Sequence, residues 1–210
     1  LRPLILPAAV VLASLGAAAA LDAPLARYPW LLALLLPATG AWLFAARRAL
    51  RGEARGPRAA AFAFAVAALL RILWLAPAPL SDDLYRYLWD GRVANAGVHP
   101  FAFPPSAPEL ASLRDEEVWP RVNHPEVPTI YPPVAQLWFR MLDALWPSAL
   151  GARAFSAVTD LAAMAALALL LRARGVAASG ALILGWCPLS VMESAGGGHV
   201  DGLGVALLAG

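Results

Sequence analysis

The chain has 210 residues, 60% of them hydrophobic and only 14% charged, with a mean hydropathy of +0.65 and a net charge of +2. Soluble domains carry about 25% charged residues, so this composition excludes an ordinary water-soluble domain and predicts an all-α, multi-span membrane protein. The single cysteine, Cys187, excludes a disulfide framework and a paired-cysteine metal motif, and no nucleic-acid-binding motif is present.

A spanning helix needs about 20 mostly apolar residues. Hydropathy predicts spans near 4–21, 29–46, 59–76, 152–171 and 176–192, with a sixth over 202–210 that is cut off by the end of the sequence. The whole of 1–210 therefore reads as one transmembrane domain, the N-terminal part of a longer protein. The first run has no basic leader beyond Arg2 and has further spans behind it, which favours a membrane helix over a signal peptide.

The linker after the second span carries Arg47, Arg48, Arg51, Arg55 and Arg58 against one acid, Glu53. By the positive-inside rule it faces the cytoplasm, and Arg172 and Arg174 agree. The long segment 77–150 and the stretch from Glu193 to Asp201 then lie outside, together with all three histidines, His99, His124 and His199. Between Ser81 and Asp143 there are nine acids and five arginines, so the outer loop is net acidic.

A loop of that length is expected to be functional rather than slack. Ser81 or Asp82 can cap a helix running to about Asn95, stopped at Gly97. Leu84, Leu88 and Gly91 share one of its faces and Asp82, Arg86 and Asp90 another, predicting an amphipathic helix along the membrane interface. Shorter helices are predicted over 108–119 and 134–145. The paired carboxylates Asp82 and Asp83 follow directly on the third span, so two acids are held together at the membrane–water boundary. Capping alone is the plainer account of them. Pairing with Asp82 is the plainer account of Arg86, and snorkelling to the interface that of Arg71. Asp160, inside the fourth span, is expected to bond a neighbouring helix.

The stretch Ser81-Asp82-Asp83-Leu-Tyr85-Arg86-Tyr-Leu-Trp89-Asp90-Gly91-Arg92 resembles the first-loop motif of GT-C fold glycosyltransferases, and in particular of bacterial polyprenyl-phosphate-mannose-dependent mannosyltransferases. Gly97-Val-His99-Pro100-Phe101 is similar to the G-x-N-P-Y that often follows, with histidine for asparagine. Thr129-Ile-Tyr131-Pro132-Pro133 resembles the family's T-x-Y-P-P. Trp186-Cys187-Pro188-Leu189, Glu193 and Gly198-His199-Val200-Asp201 resemble its N-P-L, E and G-H-N-D block, with Cys187 and Val200 standing where the pattern has asparagine. The likeness spans roughly residues 70 to 205.

It implies a GT-C-like helix bundle in the bacterial plasma membrane with its active site on the outer face. Its reaction would be transfer of a hexosyl group, mannosyl by analogy, from a polyprenyl-phosphate sugar to a glycan or glycolipid acceptor. An acceptor hydroxyl needs a base within hydrogen-bond reach, and Asp82 or Asp83 is the candidate. The departing phosphate needs donors or positive charge, for which Arg71, Arg86, Arg92 and His199 are candidates. Tyr131, Glu193 and Asp201 complete the expected substrate-binding set, with Tyr85 and Trp119 as further platforms for sugar rings. The expected course is a single inverting displacement with no cofactor and no metal, the lipid-linked sugar being the donor. The alternative is a transporter or lipid flippase using the same acids for proton or cation coupling. Such proteins place coupling residues near the midplane and often carry inverted repeats, whereas here the acids lie at the outer edge and no repeat is seen.

Overall fold

A computed structural model describes residues 1–209, and among them every regular element is helical. Four helices are long and apolar enough to cross a membrane: α1 (Arg2–Ala19), α2 (Tyr28–Leu50), α3 (Pro57–Leu75) and α6 (Ala149–Ala173). The first three open with a proline in the first turn, where the missing N–H would have had no helical partner anyway. α1 packs along α2 and against α3, and α3 packs against α6.

The seams of this bundle bury alanines, among them Ala38, Ala45, Ala49, Ala59, Ala63 and Ala67, while Leu6, Trp30, Leu36 and Ile72 point outward. In lipid the apolar effect does not drive large side chains inward, so helices associate through small residues that let backbones approach. Leu70 and Trp74 fill the end of α3 nearest the outer loop.

The run 176–192, expected as one continuous span, is instead broken. A 3₁₀ turn (Ala178–Ala181) is followed by two single-turn helices, α7 (Leu182–Gly185) and α8 (Pro188–Val191), and a π-helical turn at Met192–Gly197. The cause is local. Pro188 has no N–H to give and pushes Cys187 out of helical geometry, to ψ 119°. Buried hydrogen bonds with α3 support the interruption in both directions: Trp186 Nε1 donates to Ala63 O of α3 at 2.8 Å, and Arg71 Nη1 of α3 donates to the Gly185 carbonyl at 2.7 Å. The π turn ends at Gly198, whose φ of 82° suits a residue without Cβ. α9 (Asp201–Ala209) then packs along α6.

The long segment 77–150 builds a second core of its own. α4 (Asp83–Asn95) and α5 (Pro133–Leu145) pack face to face around Leu84, Leu88, Trp89, Trp138, Phe139 and Leu142. α4 thus lacks the free polar face expected of it: Arg86 through Gly91 are all buried. The close approach depends on Gly91, since a Cβ there would sit 2.2 Å from Phe139 O. The single helix expected over 108–119 is replaced by 3₁₀ turns at Pro108–Leu113 and Trp119–Arg121. Between them the Asp115 carboxylate accepts the N–H groups of Val118 at 2.7 Å and Trp119 at 3.0 Å, an aspartate competing with the helical ladder for its donors.

Candidate active site

α4 begins at Asp83, just beyond the loop that leaves α3. Ser81 Oγ accepts the Asp83 N–H at 3.2 Å, while the side chain of Asp82, the N-cap residue, makes no capping bond. The two acids consequently diverge: Asp82 is exposed and Asp83 is half-buried, lining a cavity of about 580 Å³. Tyr87, Tyr131, His199 and Asp201 share that cavity, with Leu203 and Leu207 of α9 on its apolar side.

Asp83 is held from two directions. Asn123 Nδ2 donates to Asp83 Oδ1 at 2.6 Å and lies 3.3 Å from Asp82 Oδ1. On the other side His199 Nε2 stands 3.4 Å from Asp83 Oδ2, and His199 Nδ1 makes a short contact with Glu193 Oε2. Asp83, His199 and Glu193 therefore form a line of carboxylate, imidazole and carboxylate. The π turn builds it: π-bulges are frequent at functional sites, and this one carries Glu193 while the αL Gly198 turns the chain so that His199 N reaches back to Glu193 O at 2.9 Å. Arg153 fixes the turn from behind, its guanidinium donating to the carbonyls of Ala195, Pro77 and Trp74.

Tyr87 stacks on Phe139 at 4.6 Å and meets Tyr131 edge-on at 5.1 Å. Burial, then the neighbouring Tyr131, pushes the Tyr87 phenol far above its usual range. Burial also raises Tyr131. Both stay protonated at neutral pH, so neither supplies a base to the cavity. Tyr131 is positioned by the segment preceding α5, where Gln136 Nε2 bridges Thr129 Oγ1 at 2.8 Å and Asp90 Oδ2 at 3.1 Å.

The three arginines expected to meet phosphate are absent from this cavity. Arg71 is buried with the Asp160 carboxylate and donates to the carbonyls of Ala67 and Gly185, so it locks α3 to α6 and to the broken segment. Its partner is the span-buried aspartate expected to bond a neighbouring helix, and Ser190 and Ser194 donate to that same carboxylate. Arg86 pairs not with Asp82 but with Asp90 at 3.0 Å, and donates to Val127 O at 2.8 Å and His124 O at 3.3 Å. It reaches only a smaller cavity, of about 180 Å³, on the far side of Asp83 and Tyr131. Arg92 is taken by Asp115 at 2.7 Å and Leu113 O at 3.2 Å. The aromatic platforms expected at Tyr85 and Trp119 are also covered, by the guanidinium groups of Arg121 and Arg114 at 5.1 and 4.3 Å.

Asn123 and Arg153 escaped the sequence reading. Asn123 had one signal, a lone amide at the head of the proline-bearing loop motif. Arg153 had another, a charge one turn inside an apolar span.

Four helices of membrane-crossing length and a half-buried carboxylate at the head of a cavity fit an integral membrane glycosyltransferase of the GT-C kind, and the family match shows that class. The chain belongs to the family described as alpha-(1->6)-mannopyranosyltransferase, N-terminal domain, whose model matches residues 8–210. No match was found among curated proteins or among solved structures.

Proposed function

We propose that this protein transfers a mannosyl group from a polyprenyl-phosphate mannose to a hydroxyl of a glycan or glycolipid on the outer leaflet of a bacterial plasma membrane, making an α-(1→6) linkage. One observation carries the reading: Asp83 lines a cavity of about 580 Å³ in which His199 stands 3.4 Å behind its carboxylate. Of the two acids, Asp83 is the base and Asp82 is not, because Asp82 is exposed and outside the cavity.

The step balances as a single displacement. The acceptor oxygen attacks the anomeric carbon and its proton passes to Asp83, while the C–O bond to phosphate breaks and the electron pair leaves with the lipid phosphate. His199 stands between two carboxylates, its Nε2 toward Asp83 and its Nδ1 toward Glu193. His199 and Glu193 thus act as positioning residues that hold the base in place. Asp201, on the rim of the same cavity, offers a carboxylate to sugar hydroxyls, and Tyr131 an aromatic edge and a hydroxyl.

The test is reconstitution in liposomes with radiolabelled polyprenyl-phosphate mannose and a mannoside acceptor. The reading expects label on the acceptor in a new α-(1→6) bond. Label that crosses the bilayer while remaining on the lipid would instead establish a flippase.

A further inference from the structure

At the opposite end of α3, a helix about 28 Å long by its rise per residue, lies a second cavity of about 560 Å³. Arg55 and Arg172 line it over a floor of Ala60, Val176, Ala177 and Ala178. Arg55 donates through Nε to Gly52 O at 3.2 Å. Among the described residues its terminal nitrogens have no hydrogen-bond partner, and Arg172 has neither a hydrogen bond nor an ion pair. α3 opens into the same cavity at Gly56 with no side-chain cap, so the N–H groups of its first turn add donors there. A buried hydrogen bond from Ser179 Oγ to Ala54 O ties the two walls together, so the cavity is built rather than a gap between loose loops.

We propose that this cavity binds the phosphate head group of an anionic membrane lipid. The free terminal nitrogens of Arg55, the unpaired guanidinium of Arg172 and free helix N–H groups match phosphate oxygens, and the apolar floor matches a glycerol and the first methylenes of its chains. The end of the bundle holds seven arginines (Arg47, Arg48, Arg51, Arg55, Arg58, Arg172, Arg174) against Glu53 alone, and only Arg48 is paired with it. By the positive-inside rule this is the cytoplasmic face, and basic pockets between helices there suit anionic head groups. The inference stands independently of the transfer reaction.

The competing account is that these arginines serve topology alone, and a matched pair of variants separates the two. Binding of phosphatidylglycerol and of phosphatidylcholine to the detergent-purified protein is followed by native mass spectrometry. The wild type should retain phosphatidylglycerol, and Arg55→Ala with Arg172→Ala should weaken it by roughly tenfold or more. Arg47→Ala with Arg51→Ala removes the same charge from the same face but not from the cavity, and should leave retention within about twofold. Unchanged melting temperatures certify that both are folded. Equal loss in the two double variants, or equal retention of phosphatidylcholine, overturns the proposal. Inorganic phosphate serves as the soluble competitor. Displacement only at millimolar concentration fits a lipid site, whereas displacement at micromolar concentration assigns the cavity to a soluble anion and overturns the lipid reading.

Discussion

His199 Nε2 lies 3.4 Å from Asp83 Oδ2, joining the loop after the third span to the turn after the broken one. That contact defines what His199 does for Asp83. His199→Gln should lower kcat by about tenfold or more with little change in KM, because the lost partner orients the base rather than binding substrate. Damage to packing alone would not produce that split. Glu193→Gln should do the same more weakly, as it orients the imidazole from behind.

The Arg71–Asp160 pair is structural. Removing one member leaves an uncompensated buried charge at a cost of about 3–5 kcal/mol, so Arg71→Ala and Asp160→Ala should each lower the melting temperature in detergent sharply. Replacing both, with Arg71→Met and Asp160→Leu, should recover much of the loss. Polyprenyl-phosphate affinity of the double variant should stay within about threefold of wild type, since neither side chain lines the cavity headed by Asp83. A donor affinity that falls while stability recovers would return Arg71 to the binding site.

Gly91 is where the outer core closes. A Cβ would meet Phe139 O at 2.2 Å and Asp143 Cβ at 2.9 Å, contacts that backbone cannot relieve cheaply. Gly91→Ala should therefore destabilise the outer segment despite the better helix propensity of alanine, which is worth only about 1 kcal/mol. At Gly40 nothing lies within 4 Å of the added methyl, so Gly40→Ala should be neutral or slightly stabilising. The pair can be compared by thermal melts followed through tryptophan fluorescence.

Asp115 predicts a pH response. Burial opposes its charge, but the N–H groups of Trp119 and Val118 and the guanidinium of Arg92 outweigh it and hold the carboxyl below its usual range. A depressed folded pKa contributes stability that is present above the unfolded value, near 3.9, and lost as pH falls through the folded one. Protection factors at Val118 and Trp119, corrected for intrinsic exchange, should be high at about pH 6 and fall only as the pH drops below the ordinary aspartate value and through the depressed one. Asp115→Asn should show lower protection that does not respond to pH.

Some of this could be seen in the sequence and some could not, for physical reasons. Hydropathy announces long apolar helices such as α3 and α6 because lipid demands them. It is blind to Pro188, which breaks an apolar run without changing its hydropathy. Burial of α4 was equally hidden, since the pattern of Leu84, Leu88 and Gly91 shows one packed face but not that Arg86 and Asp90 neutralise each other inside. Arginine partners depend on long-range contacts, so the fates of Arg71 and Arg92 could not be separated from that of a phosphate ligand by composition. The motif blocks carried Asp83, Tyr131 and His199 in one list. Only folding distinguishes Asp83 from Asp82, through the turn at Ser81 and the amide of Asn123.

The role proposed for Asp83, as base to the acceptor hydroxyl, is tested most directly by comparing initial transfer rates of Asp83→Asn and Asp82→Asn with donor affinity measured alongside. A positioned general base contributes about 10²–10⁴-fold, so Asp83→Asn should lose at least about a hundredfold in rate with donor affinity nearly unchanged, while Asp82→Asn stays within about threefold of wild type. A near-normal rate for Asp83→Asn, or the larger loss falling on Asp82→Asn, would contradict the account.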